Sequence, residues 1–153
     1  MIIAELHARD ISCSASGALI GTLYLKLGDR CFPDAAWSDF AVVVLEWWCS
    51  ALERLHQGES GPITVHFMDG PYRVELESLD EGRLDVTLLM SGARHDQEID
   101  RAMIDRNQLT HSVIAAARAA LRQCRERGWS SRDIEALSDS LNVLVTSKRF
   151  GSA

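Results

Sequence analysis

The sequence predicts an α+β fold: an antiparallel sheet of about five or six strands, in the order ββαββββαα, packed against a long central helix and two C-terminal helices. Three observations carry this. Apolar residues alternate with a period of two over Ile2–Ala8, Leu19–Leu27, Ile63–Leu76 and Leu84–Met90, the signature of half-buried strands. They recur at helical spacing over 33–58, 109–127 and 130–145. The breaks between strands are short and rich in Gly, Asp and Ser, as hairpins require. With 153 residues the chain suits one domain, 1–153, which buries roughly 70% of its unfolded surface without disulfides or metal.

In chain order, Ile2, Ala4 and Leu6 share one side of the first strand, opposite Glu5, His7 and Arg9. The small polar turn 12–17 leads to Leu19–Leu27, with Leu19, Leu23, Leu25 and Leu27 inward and Gly21 at a bend or close approach. These two strands pair as a hairpin. Gly28–Pro33 then turns the chain into the central helix, capped by Asp34 or Ser38 and stopped at Gly58. On that helix Asp39, Glu46, Ser50, Glu53 and Gln57 form one thin polar stripe, with Trp48 opposite. A helix wetted along so narrow a line must be covered on most of its circumference.

Past Pro62, Ile63, Val65 and Phe67 alternate with Thr64, His66 and Met68; Asp69-Gly70 marks a hairpin, made wider by Pro71. Tyr72, Val74 and Leu76 face inward on the return strand, and Arg73, Glu75 and Glu77 face out. A turn at 79–82 gives a strand with Leu84, Val86 and Leu88 inward, and a polar break at 91–97 precedes 98–104, which is read as a last strand with Ile99 and Met103 inward in preference to a lead-in to the next helix. The second helix buries Leu109, Val113, Ala116, Ala117, Ala120 and Cys124, and exposes His111, Arg118, Arg122 and Arg125. Ser130 caps a third helix with Ile134, Leu137, Leu141, Leu144 and Val145 on one face, and 148–153 frays.

Composition narrows the function. The net charge of −6 disfavours nucleic acid and anionic membrane, which need an excess of Lys and Arg. No run of about 18 apolar residues and no signal peptide is present, so the expected location is the cytoplasm. Cys13, Cys31, Cys49 and Cys124 show neither CxxC pairing nor zinc spacing and are read as reduced, buried thiols. Phosphate loops, GxSxG and HExxH are absent, so no catalytic residue, metal or cofactor is implied. His95-Asp96 is the one adjacent His–acid pair. Neighbours on an extended chain point to opposite sides, which argues against a base held by its carboxylate.

The charge is unevenly distributed. Between Glu75 and Asp105 lie nine acids and three arginines, while the remainder holds thirteen acids and thirteen bases. The acids Glu75, Glu77, Asp80, Glu81, Asp85, Asp96, Glu98 and Asp100 are therefore the candidate partner-binding residues. They form either the solvated face of a meander or a surface that steers a basic partner. The alternation of Asp96, Glu98 and Asp100 is also compatible with a weak cation site, without the EF-hand pattern. Arg118, Arg122 and Arg125 are available to pair with these acids across the fold.

The blocks Phe32-Pro-Asp34 with Trp37-Ser-Asp-Phe40, Trp47-Trp48 with Leu52 and Leu55, Phe67-Met-Asp-Gly-Pro-Tyr72, and Cys124–Trp129 with Asp133 and Leu137 resemble a pattern of small single-domain bacterial proteins of unknown function. The resemblance spans about residues 20 to 145 and implies a fold without a catalytic assignment. In size, charge and lack of catalytic motifs the chain also resembles the immunity proteins of polymorphic and contact-dependent toxin systems. That likeness implies a non-enzymatic partner of a basic toxin domain, such as a nuclease. The alternative is a small-molecule binder or enzyme with a pocket between the first helix and the sheet, using Tyr72, His66 or Asp69. A structural homodimer would instead leave Trp37 or Trp129 in an exposed apolar patch.

Overall fold

Each alternating stretch pairs first with its neighbour in sequence. The structure, a computed structural model, describes residues 1–151, with side chains as far as Lys148. Strands β1 (Ala4–Cys13) and β2 (Leu19–Leu27) form the expected hairpin, with Leu6 opposite Leu25 and Ala8 opposite Leu23. A Cβ at Gly21 would fall 2.9 Å from the Arg9 carbonyl oxygen, so this is a close approach that only glycine permits. Two short strands that the alternation does not reveal, β3 (Arg30–Phe32) and β4 (Ser38–Asp39), pair with opposite halves of β2.

Recruitment of Ser38 and Asp39 into that ladder explains why the central helix starts later than expected. Helix α1 covers Ala41–His56; Phe40 is its N-cap, with no side-chain hydrogen bond, and neither Asp34 nor Ser38 caps it. Asp34 instead accepts the Ala36 amide at 2.8 Å. With 16 residues, α1 is shorter than the two helices that follow it. Its faces are as expected: Glu46, Ser50, Glu53 and Gln57 lie on the wetter side and Trp48 is fully buried. Asp39 precedes the helix and is itself buried.

After α1, β5 (Ile63–His66), β6 (Tyr72–Ser78), β7 (Arg83–Met90) and β8 (Gln97–Asp105) form an antiparallel meander. The α+β class and antiparallel pairing are those predicted. The strands divide into two four-stranded sheets rather than forming one. The register of β8 is also shifted. A bulge opposite Leu88–Leu89 inserts Ile99 as an extra residue, so Asp100 pairs with Leu88 and Glu98 with Leu89. Ala102 and Ile104 consequently face the core, and Met103, expected inward, is exposed.

Helix α2 (Arg106–Glu126) follows β8 directly, capped by the Asp105 carboxylate, which accepts the Gln108 amide at 3.0 Å. Helix α3 (Arg132–Gly151) is capped by Ser131, not Ser130, through the Ile134 amide at 3.3 Å. It continues through Gly151; the rest of the segment expected to fray, 152–153, lies outside the described residues. No helix among the described residues is long and apolar enough to cross a membrane.

Side chains of α2 close the outer edge of β1. Gln108 accepts from the Ala4 amide at 2.9 Å and donates to the Ala4 carbonyl at 2.7 Å. Ser112 accepts from the Leu6 amide at 2.8 Å, and Gln123 donates to the Ile11 carbonyl at 3.2 Å. These bonds occupy backbone groups that would otherwise invite another strand. Gln108→Ala strands an amide and a carbonyl at that edge, with an expected loss of about 1–2 kcal/mol by urea denaturation. A change within experimental error would assign those groups to solvent.

The two sheets are joined by aromatic side chains from the sequence blocks around Phe32, Trp37 and Phe67–Tyr72. Phe32 meets the Phe67 and Tyr72 rings edge-on at 5.7 and 5.5 Å, and Trp37 meets them at 6.5 and 5.3 Å. Beneath them Asp39 accepts from Trp37 Nε1 at 2.9 Å, from the Phe40 amide at 2.7 Å and from the Asp69 amide at 3.3 Å. One carboxylate therefore holds β4, the start of α1 and the β5–β6 turn.

Candidate functional site: an acidic sheet face

The meander has one face on the core and one facing solvent. Inward residues Val74, Leu76, Leu84, Val86 and Leu88 are fully buried, which sends their neighbours outward. Glu75 and Glu77 of β6, Asp85 and Thr87 of β7, and Glu98 and Arg101 of β8 line a shallow trough of about 240 Å³ with Leu89 and Pro62. Glu77 lies directly opposite Asp85 in the ladder and Thr87 opposite Arg101. Like charges facing each other across a strand pair destabilise the sheet.

Two arginines moderate that repulsion. Arg101 grips Asp85: its Nε lies 3.0 Å from both carboxylate oxygens, and its terminal nitrogen makes a closer contact. That hydrogen bond, then the charges of Asp85, Glu98 and Glu77, raise the Arg101 pKa. Arg73 donates to Asp96 at 2.5 Å and to Ser91 at 2.8 Å, and approaches Glu75 at 3.7 Å. The Arg73 hydrogen bond is also the main reason the Asp96 carboxyl titrates below its ordinary range.

The eight acids thus separate into four groups. Glu75, Glu77, Asp85 and Glu98 share the outer face. Asp80 and Glu81 sit exposed in the 3₁₀ turn Asp80–Gly82 at one end of β6 and β7, with Glu81 in the left-handed region at φ 62°. Asp96 occupies the β7–β8 turn, where its carboxylate serves Arg73 and not the neighbouring His95. Asp100 lies on the other face because of the bulge and accepts from Arg30 Nε of β3 at 3.0 Å. Asp96, Glu98 and Asp100 therefore do not converge, and among the described residues no three His, Cys, Asp or Glu side chains gather as metal ligands.

The counter-charges come from an unexpected place. None of Arg118, Arg122 and Arg125 forms an ion pair among the described residues; Arg30, Arg73 and Arg101 hold the acids instead. The outward period of β6 marks Arg73 in the sequence, whereas placing Arg101 requires the bulge.

No family model, no curated protein and no solved structure matches the chain.

The residues named for a pocket beside the first helix separate. Tyr72 belongs to the aromatic junction and the Asp69 amide to Asp39. His66 lines a groove of about 390 Å³ between α1 and β5, with Glu46, Trp47, Ser50, Arg54 and Thr64. Glu46 is fixed there by the Ser50 and Ser140 hydroxyls at 2.9 and 2.7 Å. Of the two tryptophans considered for a dimer contact, Trp37 is half-buried at the junction and Trp129 is half-buried under Arg127. Of the thiols expected to be buried, the helical Cys49 and Cys124 are, and burial pushes Cys49 up to about 12, whereas Cys31 is half-buried and Cys13, at the end of β1, is exposed.

Proposed function

We propose that this protein is a non-enzymatic binding protein, an immunity protein that binds and neutralises a basic toxin domain in the cytoplasm through the outer face of β6, β7 and β8. The observation that carries this reading is the uncovered trough in which Glu77 faces Asp85, with Glu75 and Glu98 beside them. A cross-strand pair of carboxylates costs stability, and a basic partner offsets that cost on binding. Carboxylates spaced along a pleated face offer the negative charge that a nuclease meets in phosphates. Asp80 and Glu81 extend the field at one end, and Asp96 at the other.

The test begins with capture of partners from the source lysate and of the products of neighbouring genes, at low and high salt. Against a captured basic partner, the double substitution Glu77→Lys and Glu98→Lys should slow association about tenfold or more at low salt and flatten its salt dependence. Unchanged kinetics would sink the proposal.

A second reading, a small-molecule binder or enzyme, draws on the α1–β5 groove, where Trp47 supplies an apolar wall and Glu46, Ser50 and His66 supply polar groups. A ligand that raises the melting temperature of the wild type and not of a Trp47→Ala variant would favour it.

A further inference from the structure

Strand β5 leaves one edge unpaired. Backbone groups alternate in direction along an antiparallel strand. The Phe67 amide donates to the Tyr72 carbonyl at 3.1 Å, so Phe67, and with it Val65 and Ile63, bonds toward β6. Thr64 and His66 therefore turn their amides and carbonyls outward, and among the described residues nothing bonds those four groups. The outer edge of β1, by contrast, is occupied by Gln108, Ser112 and Gln123. Polar side chains stand beside β5 as well, but they are engaged elsewhere: on α1 the Ser50 hydroxyl donates to Glu46 and the Arg54 guanidinium to Glu59. The fold straps one strand edge and leaves the other open along the α1–β5 groove.

The chemistry of the groove selects its occupant. Trp47 and Ala51 supply an apolar wall. Arg54 is neutralised by Glu59 at 2.8 Å, whereas Glu46 has no cation among the described residues. Both hydroxyls that hold Glu46 donate to its Oε1, which leaves Oε2 open as an acceptor. On the sheet, Thr64 lies opposite Glu75 of the acidic face. An open strand edge takes an extended backbone, the wall an apolar side chain and the carboxylates a cation.

We infer that an extended segment of a partner protein, bearing lysine or arginine, adds to β5 as a fifth strand of this sheet. Its backbone pairs with Thr64 and His66, an apolar side chain covers Trp47 and Ala51, and a cation meets Glu46. This rests on the reading of the protein as a binder of a basic partner, and adds to it a second contact outside the trough.

The test is an NMR titration of the full chain with a capped peptide of alternating lysine and valine, about eight residues long, roughly the length of a strand. One control is the same peptide with every amide N-methylated, which keeps the side chains and the charge and removes the donors; the other alternates glutamate with valine. The expected result is saturable shifts at the Thr64 and His66 amides and the Trp47 indole with the lysine peptide, and binding at least tenfold weaker with either control. Glu46→Gln should weaken binding about tenfold, the loss of one charge-assisted contact, and keep the wild-type melting temperature because its carbonyl still accepts both hydroxyls. No saturation, an equal response to the N-methylated peptide, undiminished affinity in Glu46→Gln, or shifts confined to Thr87 and Arg101 of the trough would overturn the inference. Glu46→Gln leaves the trough intact, and the Glu77→Lys and Glu98→Lys pair leaves the groove intact, so each reading fails by its own variant.

Discussion

Asp39→Ala is expected to destabilise the protein by about 3–5 kcal/mol, because it leaves three donors without their charged acceptor. The carboxylate is only 2% exposed and gathers Trp37 Nε1 with the amides of Phe40 and Asp69. Those donors belong to different elements, so the loss is shared by β4, the first turn of α1 and the β5–β6 turn. Asp39→Asn should cost less: its carbonyl oxygen still accepts, while its NH₂ faces a donor. Urea midpoints followed by tryptophan fluorescence measure both variants. A loss below about 1 kcal/mol for the alanine variant would mean that water replaces the carboxylate there.

His56 should make the fold sensitive to acid between pH 6.5 and about 4. Thr110 Oγ1 donates to the Arg106 carbonyl at 2.8 Å, so His56 Nε2, 2.9 Å from that oxygen, is the donor to it. Nδ1 is then a bare acceptor, buried without a hydrogen-bond partner among the described residues. Burial first, then the charges of Arg106 and Lys148, lower the imidazole pKa from 6.5 to about 4. Above pH 6.5 both folded and unfolded chains are neutral at this residue, and it adds no pH dependence. As the pH falls, the unfolded chain takes up a proton that the folded one refuses. Stability drains away by about 2–3 kcal/mol by the time the pH nears 4. Comparing urea midpoints of the wild type and His56→Gln at pH 7.5, 5.5 and 4.5 isolates this contribution from that of the carboxylates. Parallel pH profiles for the two proteins would rule His56 out as its source.

The parts of the fold that the sequence predicted well are those dictated by local periodicity. The inward faces of β2, β5, β6 and β7 and the apolar stripe of α2 follow from spacing alone, and burial matches them except at Tyr72, which is half-buried, and at Tyr24, which is buried on the opposite side of β2. The parts that escaped depend on partners distant in the chain. Strands β3 and β4 contain three and two residues, too short to carry a period, and exist because β2 has an open side. The same pairing took Ser38 and Asp39 out of the helix and turned Asp39 from a surface residue into a buried junction. At the candidate site, clustering of charge was enough to find the acids, and alternation was enough to put Glu75, Glu77 and Asp85 on one face. Their arginine partners and the departure of Asp100 required the register of β8.

Ile99 acts on the pleat as an inserted base acts on a reading frame. Upstream and downstream of it, β8 is decoded in opposite phases: Glu98 points to solvent, and Asp100, two positions later, points to the side of Arg30. Loss of that single apolar residue would restore one phase along the strand, carrying Ile104 outward or Glu98 inward. The division of charge between the two faces of this sheet is thus encoded less by the acids themselves than by the count of residues between them.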